Sequence, residues 1–222
     1  MPKKPRSKKE LDNCKKDILT HALDLIQEEG YEGFSMRKLS SRLNVSVVSL
    51  YRIYESKDHI YLDVLTKGFQ LLYKECRKAF ESKGLPEERL KSMATAYLRF
   101  GIEQANFYNL MFTWHVPKYQ DYVGTPMEET AQYELLESQK VYFFAIQATK
   151  EIAETIGIVT DYQIRSYFIY FWSTLHGYIS SMNNHLLHYM HEDPLSLKQS
   201  VVENLFSYLK ILIEENRDIK HE

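Results

Sequence analysis

The most informative part of this sequence is residues 34–57, which read FSMRKLSSRLNVSVVSLYRIYESK. Ser35 precedes one short run of helix-forming residues and Ser46 precedes another. Serine is a favoured N-cap because its hydroxyl accepts a hydrogen bond from a backbone N–H of the first helical turn. Asn44 lies between the two runs and tolerates a left-handed backbone better than most residues. The pattern predicts two short helices joined by a tight turn, the helix-turn-helix arrangement.

The second of these short helices carries few residues of the core type. Val45 and Leu50 are expected to anchor it, as Leu39 does for the first helix. Four side chains are left on one outer side: Val47, Val48, Ser49 and Arg52. Adjacent exposed valines suit the major groove of DNA, where thymine presents a methyl group. Burial of Val47 and Val48 within the fold is the alternative interpretation.

Longer helices are predicted on both sides of this motif. The first should run from about Asn13 to Glu29 and end at Gly30, where a left-handed residue is favoured. Its apolar stripe has helical spacing: Ile18, Ala22, Leu25 and Ile26. Ser56 is expected to cap the next helix, whose inward residues are Ile60, Val64, Leu65, Phe69 and Leu72. The rest of the chain also reads as helix, since only 8 Gly and 6 Pro interrupt it, and we expect an all-α protein of about nine helices.

Charge is distributed unevenly along the chain. The net charge is -2. Residues 1–57 carry 12 Lys/Arg against 8 Asp/Glu, whereas residues 58–222 carry 16 Lys/Arg against 22 Asp/Glu. A basic N-terminal piece on an acidic body is typical of a protein that meets phosphates at one end. Most of the basic excess comes from Lys3, Lys4, Arg6, Lys8 and Lys9. A tail that is only solvated therefore remains the alternative.

Several other classes of protein are disfavoured. Cys14 and Cys76 are isolated and indicate neither a disulfide framework nor a zinc site, and no apolar run is long enough to span a membrane. The expectation is a cytoplasmic protein with no membrane partner and no cofactor. We find no Gly-rich phosphate loop and no nucleophile motif. Adjacent carboxylates such as Glu28-Glu29 point about 100° apart on a helix, so an enzyme is not expected.

Residues from Ile18 to Lys57 resemble the DNA-binding domain of the tetracycline-repressor (TetR) family. The most specific elements are Ser49-Leu50-Tyr51, the aromatic Tyr54 and the pair Ser56-Lys57. Departures from the family pattern are mild, with Asn44 where Gly is usual, Ser40 where Ala is usual and Tyr54 where Phe is common. The resemblance implies an N-terminal three-helix DNA-binding domain and a helical domain that binds a ligand and dimerises. The implied division is a basic flexible tail at 1–11, a DNA-binding domain at 12–72 and a second domain at 73–222.

The resemblance also implies which residues contact double-stranded DNA. Arg37 is placed to reach a guanine edge or a phosphate, Tyr51 to meet a phosphate, and Lys57 to add its charge to a helix N-terminus. The complete candidate set is Arg37, Ser46, Val47, Val48, Ser49, Tyr51, Arg52 and Lys57. The implied function is a repressor that a small-molecule effector releases from a palindromic operator. The alternative is a helical protein-binding adaptor, or a ligand-binding protein without sequence-specific DNA binding, which would not need Tyr51 and Lys57.

The second domain is rich in aromatic residues, most of which suit an ordinary helical core. Tyrosines and histidines among them suggest a pocket for a small apolar or aromatic effector. The candidate pocket residues are Tyr97, Phe112, Trp114, His115, Tyr142, Trp172 and His176. The segments Phe107–Phe112 and Trp172–Gly177 resemble a regulatory subtype of the family named for its Trp-His-Gly (WHG) element.

The last two long helices, roughly 161–190 and 194–215, are candidates for the interface of a homodimer. Their apolar stripes are Phe168, Phe171, Leu175 and Ile179 on one, and Val202, Leu205, Phe206, Leu209 and Leu212 on the other. Family likeness implies a four-helix bundle between two subunits, with an isologous contact.

Three histidines, His185, His188 and His191, lie near the end of the first of these helices. Their spacing raises a metal site as one interpretation. Capping of the helix end by imidazole groups is the preferred interpretation, so no metal site is expected.

Overall fold

The computed structural model describes residues 7–82, 84–156 and 160–218. Within these ranges the chain forms ten α-helices and two 3-10 turns and contains no strand. The predicted all-α class is confirmed, with one α-helix more than the sequence suggested.

The α-helices are joined by short connections. The N-terminal ones are α1 (Lys8–Gly33), α2 (Met36–Arg42), α3 (Val47–Tyr51) and α4 (Lys57–Phe80). They are followed by α5 (Pro86–Glu103), α6 (Ala105–Phe112), α7 (Tyr119–Tyr122), α8 (Glu128–Ile156), α9 (Asp161–Asn183) and α10 (Lys198–Asp218). The 3-10 turns Leu186–Tyr189 and Pro194–Leu197 lie between α9 and α10.

The described chain divides into two compact units. The first, here called the head unit, contains the described residues up to Gly68 together with Asn109–Glu137. The second, the body unit, contains Phe69–Tyr108 and the described residues from Ser138 onward. Residues 109–137, which the sequence analysis assigned to the second domain, therefore belong to the same unit as the helix-turn-helix.

Helix α1 begins earlier than the sequence analysis expected. The side chain of Ser7 accepts a hydrogen bond from the backbone N–H of Glu10, and the Glu10 side chain accepts one from the N–H of Ser7. This reciprocal capping box satisfies two backbone donors at the helix start. Residues 8–11 are therefore helical, although they were expected in the flexible tail; Lys3, Lys4 and Arg6 lie outside the described residues.

The predicted core of the head unit is confirmed. All four residues of the α1 stripe are buried, as are the predicted inward residues of the head-unit part of α4, Ile60, Val64 and Leu65. Gly30 interrupts the helical backbone of α1 with φ 73° and ψ 170°. Side chains with a Cβ rarely adopt this conformation, so glycine at this position is a backbone requirement.

The apolar stripes of α9 and α10 pack against each other within the body unit. The rings of Phe171 and Phe206 meet edge to face with centroids 5.1 Å apart. Leu175 and Ile179 on α9 are buried, as are Val202 and Leu209 on α10. Seven of the nine stripe residues are therefore buried in the core of a single chain and are not exposed to a second subunit, whereas Phe168 and Leu212 are partly exposed. A dimer interface on these two helices stays a prediction. A different set on the same helices is exposed: Ile169, Tyr170, Tyr208 and Ile211.

Helices α5 and α9 approach closely at Gly101. A Cβ on Gly101 would lie 2.6 Å from Cδ1 of Ile179, and the Asn183 side chain donates a 3.0 Å hydrogen bond to the Gly101 carbonyl. Helix α9 ends at Asn183, earlier than predicted, and His185 follows in a left-handed conformation with φ 59°. None of the helices in the described ranges combines the length and apolarity needed to cross a bilayer.

Candidate nucleic-acid interface

The turn between α2 and α3 has the predicted construction. Ser35 accepts a hydrogen bond from the N–H of Lys38 at 3.3 Å, and Ser46 accepts one from the N–H of Ser49 at 3.2 Å. Asn44 adopts the left-handed backbone expected at the turn, with φ 51°. The hydroxyls of Ser46 and Ser49 also lie 2.8 Å apart. Both helix starts are thus fixed by side chains from the motif itself.

Helix α3 presents polar and apolar groups on its outer side. Leu50 is buried, whereas Val48 is 60% and Tyr51 is 52% exposed. Arg52 is also exposed and Val47 is partly exposed. The alternative that both valines are buried is therefore excluded for Val48. Val45 was expected in the core but is 40% exposed, because it belongs to the turn and Leu50 alone anchors the helix.

The basic residues of α2 are not equivalent. Lys38 pairs with Glu29 and donates to the Gly33 carbonyl, and Arg42 pairs with Glu28 through both of its terminal nitrogens. Arg37 is exposed and takes part in none of the ion pairs within the described ranges. The pairs neutralise Lys38 and Arg42, which leaves Arg37 as the α2 cation available to an anionic partner.

Lys57 begins α4 and lies over an aromatic ring. Its Nζ is 4.3 Å from the ring centroid of Tyr31. Ser56 accepts a hydrogen bond from the N–H of His59 at 3.1 Å and so caps α4 as predicted. The contact of Tyr31 with Lys57 was not predicted from the sequence. The one signal for it was the position of Tyr31 directly after Gly30, where the helix was expected to end.

A polar network occupies part of the body unit. The indole N–H of Trp172 donates to the Tyr97 hydroxyl at 2.9 Å, which lies 3.0 Å from the Tyr108 hydroxyl. The Tyr108 hydroxyl lies 2.7 Å from Nδ1 of His176. Burial lowers the pKa of His176 and raises those of Tyr97 and Tyr108, so all three groups are held neutral. In the arrangement that satisfies these contacts, Trp172 donates to Tyr97 and Tyr97 donates to Tyr108. Tyr108 then donates to an unprotonated Nδ1 of His176.

Three of the seven predicted pocket residues, Tyr97, Trp172 and His176, belong to this network. Trp172 and His176 are only partly buried and their rings stack with centroids 4.9 Å apart. Tyr142 also lies in the body unit, where its ring packs edge to face on Phe168. Tyr108, at the centre of the network, was recognised in the sequence only as part of the Phe107–Phe112 motif.

The other three predicted pocket residues, Phe112, Trp114 and His115, lie in the head unit. Trp114 and His115 line a cleft of about 560 Å³ together with residues 29–32 and 116–118 and Asp121. The seven predicted residues therefore occupy separate units, because the segment after Asn109 packs with the head.

The histidines after α9 form no metal site. His185 and His188 rings lie 5.7 Å apart, and Nδ1 of His191 accepts a 3.1 Å hydrogen bond from the N–H of Asp193. In the ranges that the structure covers, no group of three or more His, Cys, Asp or Glu residues is arranged to hold a metal ion.

Comparison with known proteins identifies the family of the helix-turn-helix. Residues 18–64 match the family model described as bacterial regulatory proteins, tetR family. The matched range contains α2, α3, the turn at Asn44 and the start of α4. The helix-turn-helix region of this chain is thus similar to that of tetR-family regulators. The resemblance seen in the sequence is confirmed for residues 18–64; the WHG subtype stays a prediction.

Two curated transcriptional regulators are similar to part of this chain. The HTH-type transcriptional repressor KstR of Mycolicibacterium smegmatis is 33% identical over 79 residues, which cover 36% of this chain and 39% of KstR. The HTH-type transcriptional activator FasR of the same organism is 27% identical over 115 residues, which cover 52% of this chain and 50% of FasR. The chain thus matches half or less of the length of these relatives.

A solved structure extends the likeness to most of the fold. The transcriptional regulator FadR of Bacillus subtilis, crystallised with stearoyl-CoA, superposes with a TM-score of 0.64 at 15% identity. The match covers 86% of this chain and 96% of FadR. The likeness in fold to FadR therefore extends beyond residues 18–64.

Proposed function

We propose that this protein is a transcriptional regulator that binds a palindromic DNA operator as a homodimer and is released from it by a small-molecule effector. The main support for the proposal is the outer side of α3, where Val48, Tyr51 and Arg52 are exposed. This helix is the second of a helix-turn-helix in which a serine caps the start of each helix. A helix of this kind enters the major groove and reads base edges. The names of the relatives include a repressor and an activator; repression is the sign we propose.

The exposed groups divide into two classes of contact. Tyr51 at the end of α3 and Lys57 at the start of α4 are proposed to bind phosphates, which set the register of the protein on DNA without reading sequence. Arg37 supplies a second cation, in addition to Lys57, for a phosphate or a guanine edge. Val47, Val48, Ser49 and Arg52 are proposed to meet base edges, with the valines against thymine methyl groups and the arginine against a hydrogen-bond acceptor. Ser46, which caps α3, is proposed to stand at the DNA surface with them.

Dimerisation is proposed to use the exposed side of α9 and α10. Ile169 and Tyr170 on α9 are 58% and 61% exposed, and Tyr208 and Ile211 on α10 are 54% and 49% exposed. The helices α9 and α10 contact each other, and large apolar side chains exposed on neighbouring helices are candidates for an interaction surface. A two-fold axis through this surface makes an isologous four-helix contact. The two recognition helices then have to lie about 34–36 Å apart to enter successive major grooves.

The effector is proposed to be a small apolar or aromatic molecule that binds near the network of Tyr97, Tyr108, Trp172 and His176. Aromatic walls with a few polar groups are typical of small-molecule sites. FadR, whose fold resembles that of this chain, was crystallised with stearoyl-CoA, which supports an effector that carries an apolar acyl chain. In one state of the proposed dimer, the spacing of the two head units does not fit the operator. An effector that binds this state more tightly lowers DNA affinity by the difference between its binding free energies for the two states. A difference of about 1–3 kcal/mol corresponds to about 5–150-fold. Titration of stearoyl-CoA against operator binding at fixed salt is the first test, and an unchanged affinity despite ligand binding would contradict the coupling.

The experiment that tests DNA recognition is selection of duplexes from a random library by the purified full chain. We expect enrichment of a palindrome with half-sites about 10–10.5 base pairs apart or a multiple of this spacing. Recovery of no preferred sequence would contradict the proposal and favour a helical adaptor.

A further inference from the structure

Tyr31 lies at the junction of three parts of the head unit. It follows Gly30, whose φ of 73° and ψ of 170° turn the chain out of the regular helix. The turn brings the Tyr31 side chain onto the first turn of α4, where Lys57, Asp58 and Tyr61 all contact it. Tyr31 therefore contacts Lys57, the proposed phosphate-binding residue, and also Asp58 and Tyr61.

The ring of Tyr31 has a charged neighbour on its face and an aromatic neighbour at its edge. The Lys57 ammonium lies 4.3 Å from the ring centroid, within the range of a cation–π contact. The ring of Tyr61 meets that of Tyr31 at 4.8 Å with an interplanar angle of 64°. The edge contact orients the Tyr31 ring, and the oriented ring holds the ammonium.

The hydroxyl of Tyr31 fixes the remaining freedom of this side chain. It donates a hydrogen bond to the Asp58 carboxylate and lies 3.4 Å from the hydroxyl of Tyr122. Burial raises the pKa of Tyr31 and the Asp58 carboxylate raises it further, so the group remains a neutral donor. Tyr61 is itself held by a 2.8 Å hydrogen bond from its hydroxyl to the Pro117 carbonyl.

We infer that Tyr31 is a positioning residue for DNA binding, which holds the Lys57 ammonium in place for a phosphate through the face of its ring. The inference rests on the proposed function, because it assigns a role to Tyr31 only through Lys57. A lysine side chain that moves freely in solution loses the conformational entropy of several rotatable bonds when it binds. Ordering of the ammonium before the encounter removes part of that cost. No DNA contact by Tyr31 itself is required.

A double-mutant cycle with Lys57 tests the inference. Affinity of the full-length chain for a duplex obtained by selection is measured over a series of salt concentrations for the parent, Tyr31→Leu, Lys57→Ala and the double variant. A cation–π contact of this kind corresponds to about threefold per protomer, or about tenfold for a dimer. We therefore expect Tyr31→Leu to weaken binding about tenfold in the parent, to reduce the salt slope toward that of Lys57→Ala, and to add nothing in the Lys57→Ala background.

Two further variants separate positioning from folding. Tyr31→Phe keeps the ring and should stay within about twofold of the parent, since the cation–π contact is retained. Tyr119→Leu, a change of another partly buried head-unit tyrosine, is the matched control and should leave the affinity unchanged. The melting temperature of each variant is measured alongside.

The outcomes distinguish the inference from the proposed function. Equal losses from Tyr31→Leu in both backgrounds, or a Tyr31→Phe loss as large as that of Tyr31→Leu, would overturn the positioning role. An unchanged affinity and salt slope for Lys57→Ala would instead contradict the phosphate contact on which the inference depends.

Discussion

At the scale of single residues, the head unit separates groups that hold the fold from groups that face outward. Leu50 is buried while its neighbours Val48, Tyr51 and Arg52 are not. Arg42 is engaged by Glu28 and Lys38 by Glu29. The outward groups are therefore a small set, and their proposed roles can be tested one at a time.

Arg52 and Lys57 should give different results on substitution. Arg52→Ala removes a proposed base contact, so the sequence obtained by random-library selection should change at one position of each half-site, where discrimination should fall by about 1–3 kcal/mol. Lys57→Ala removes a proposed phosphate contact, so the selected sequence should stay the same while affinity falls for every duplex. If both variants select the same altered sequence, the division into reading and positioning contacts is mistaken.

Local chemistry made many of these residues predictable. The caps at Ser35, Ser46 and Ser56 and the turn at Asn44 follow from short-range hydrogen bonding and backbone preference, and all four stand as predicted. The exposure of Val45 was not predicted, because its apolar side chain suits both a core and a turn that leaves it half in solvent. The role of Tyr31 depends on contacts with residues 57–61 that no local pattern reveals.

At the scale of helices, α8 begins in the head unit with a buried carboxyl group. Glu134 is only 8% exposed, and burial raises its pKa to about 7, a shift that the nearby Lys118 opposes. The folded state therefore holds a proton on Glu134 between the ordinary carboxyl pKa and about pH 7, where the unfolded chain has released it. Stability from this group is present at low pH and is lost as the pH rises through the folded pKa.

Glu134→Gln should make the stability less dependent on pH in this window. The shift sets an upper limit of about 3 kcal/mol for the loss in the parent, at 1.36 kcal/mol per pKa unit. We expect urea unfolding at pH 5 and pH 8 to show a smaller difference for Glu134→Gln than for the parent, with the variant more stable at pH 8. Glu129→Gln, an exposed change on the same helix, is the control. An equal pH difference in parent and Glu134→Gln would contradict the raised pKa.

The helical elements themselves were largely readable from apolar periodicity, but their partners were not. The stripes of α9 and α10 are apolar faces as predicted, and most of their residues are buried where the two helices pack on each other within one chain. Apolar periodicity shows that one face of a helix is buried, but it does not show which element packs on that face. The same limit explains why Trp114 and His115 were grouped with Trp172: the sequence does not reveal that residues 109–137 pack with the head.

At the scale of the whole molecule, recognition of a palindromic operator as proposed needs two copies of the chain. Ile169→Asp places a charge in the exposed apolar set of α9 and α10, where burial of an unpaired charge is strongly unfavourable. We expect this variant to sediment as a monomer at concentrations where the parent is a dimer. Phe143→Asp, at a residue of α8 with similar exposure (60% against 58% for Ile169), is the matched control and should remain dimeric. A dimeric Ile169→Asp variant would place the interface elsewhere.

Sequence-specific recognition of DNA by the side of α3 that carries Val48 and Arg52 is the basis of the proposed function. Its most direct test is binding of the full chain to its selected duplex at two salt concentrations in the presence of excess competitor DNA. We expect binding that survives the competitor, weakens as salt rises in proportion to the phosphates neutralised, and is lost when the half-sites are scrambled. Binding that the competitor abolishes equally for the selected and the scrambled duplex would contradict it.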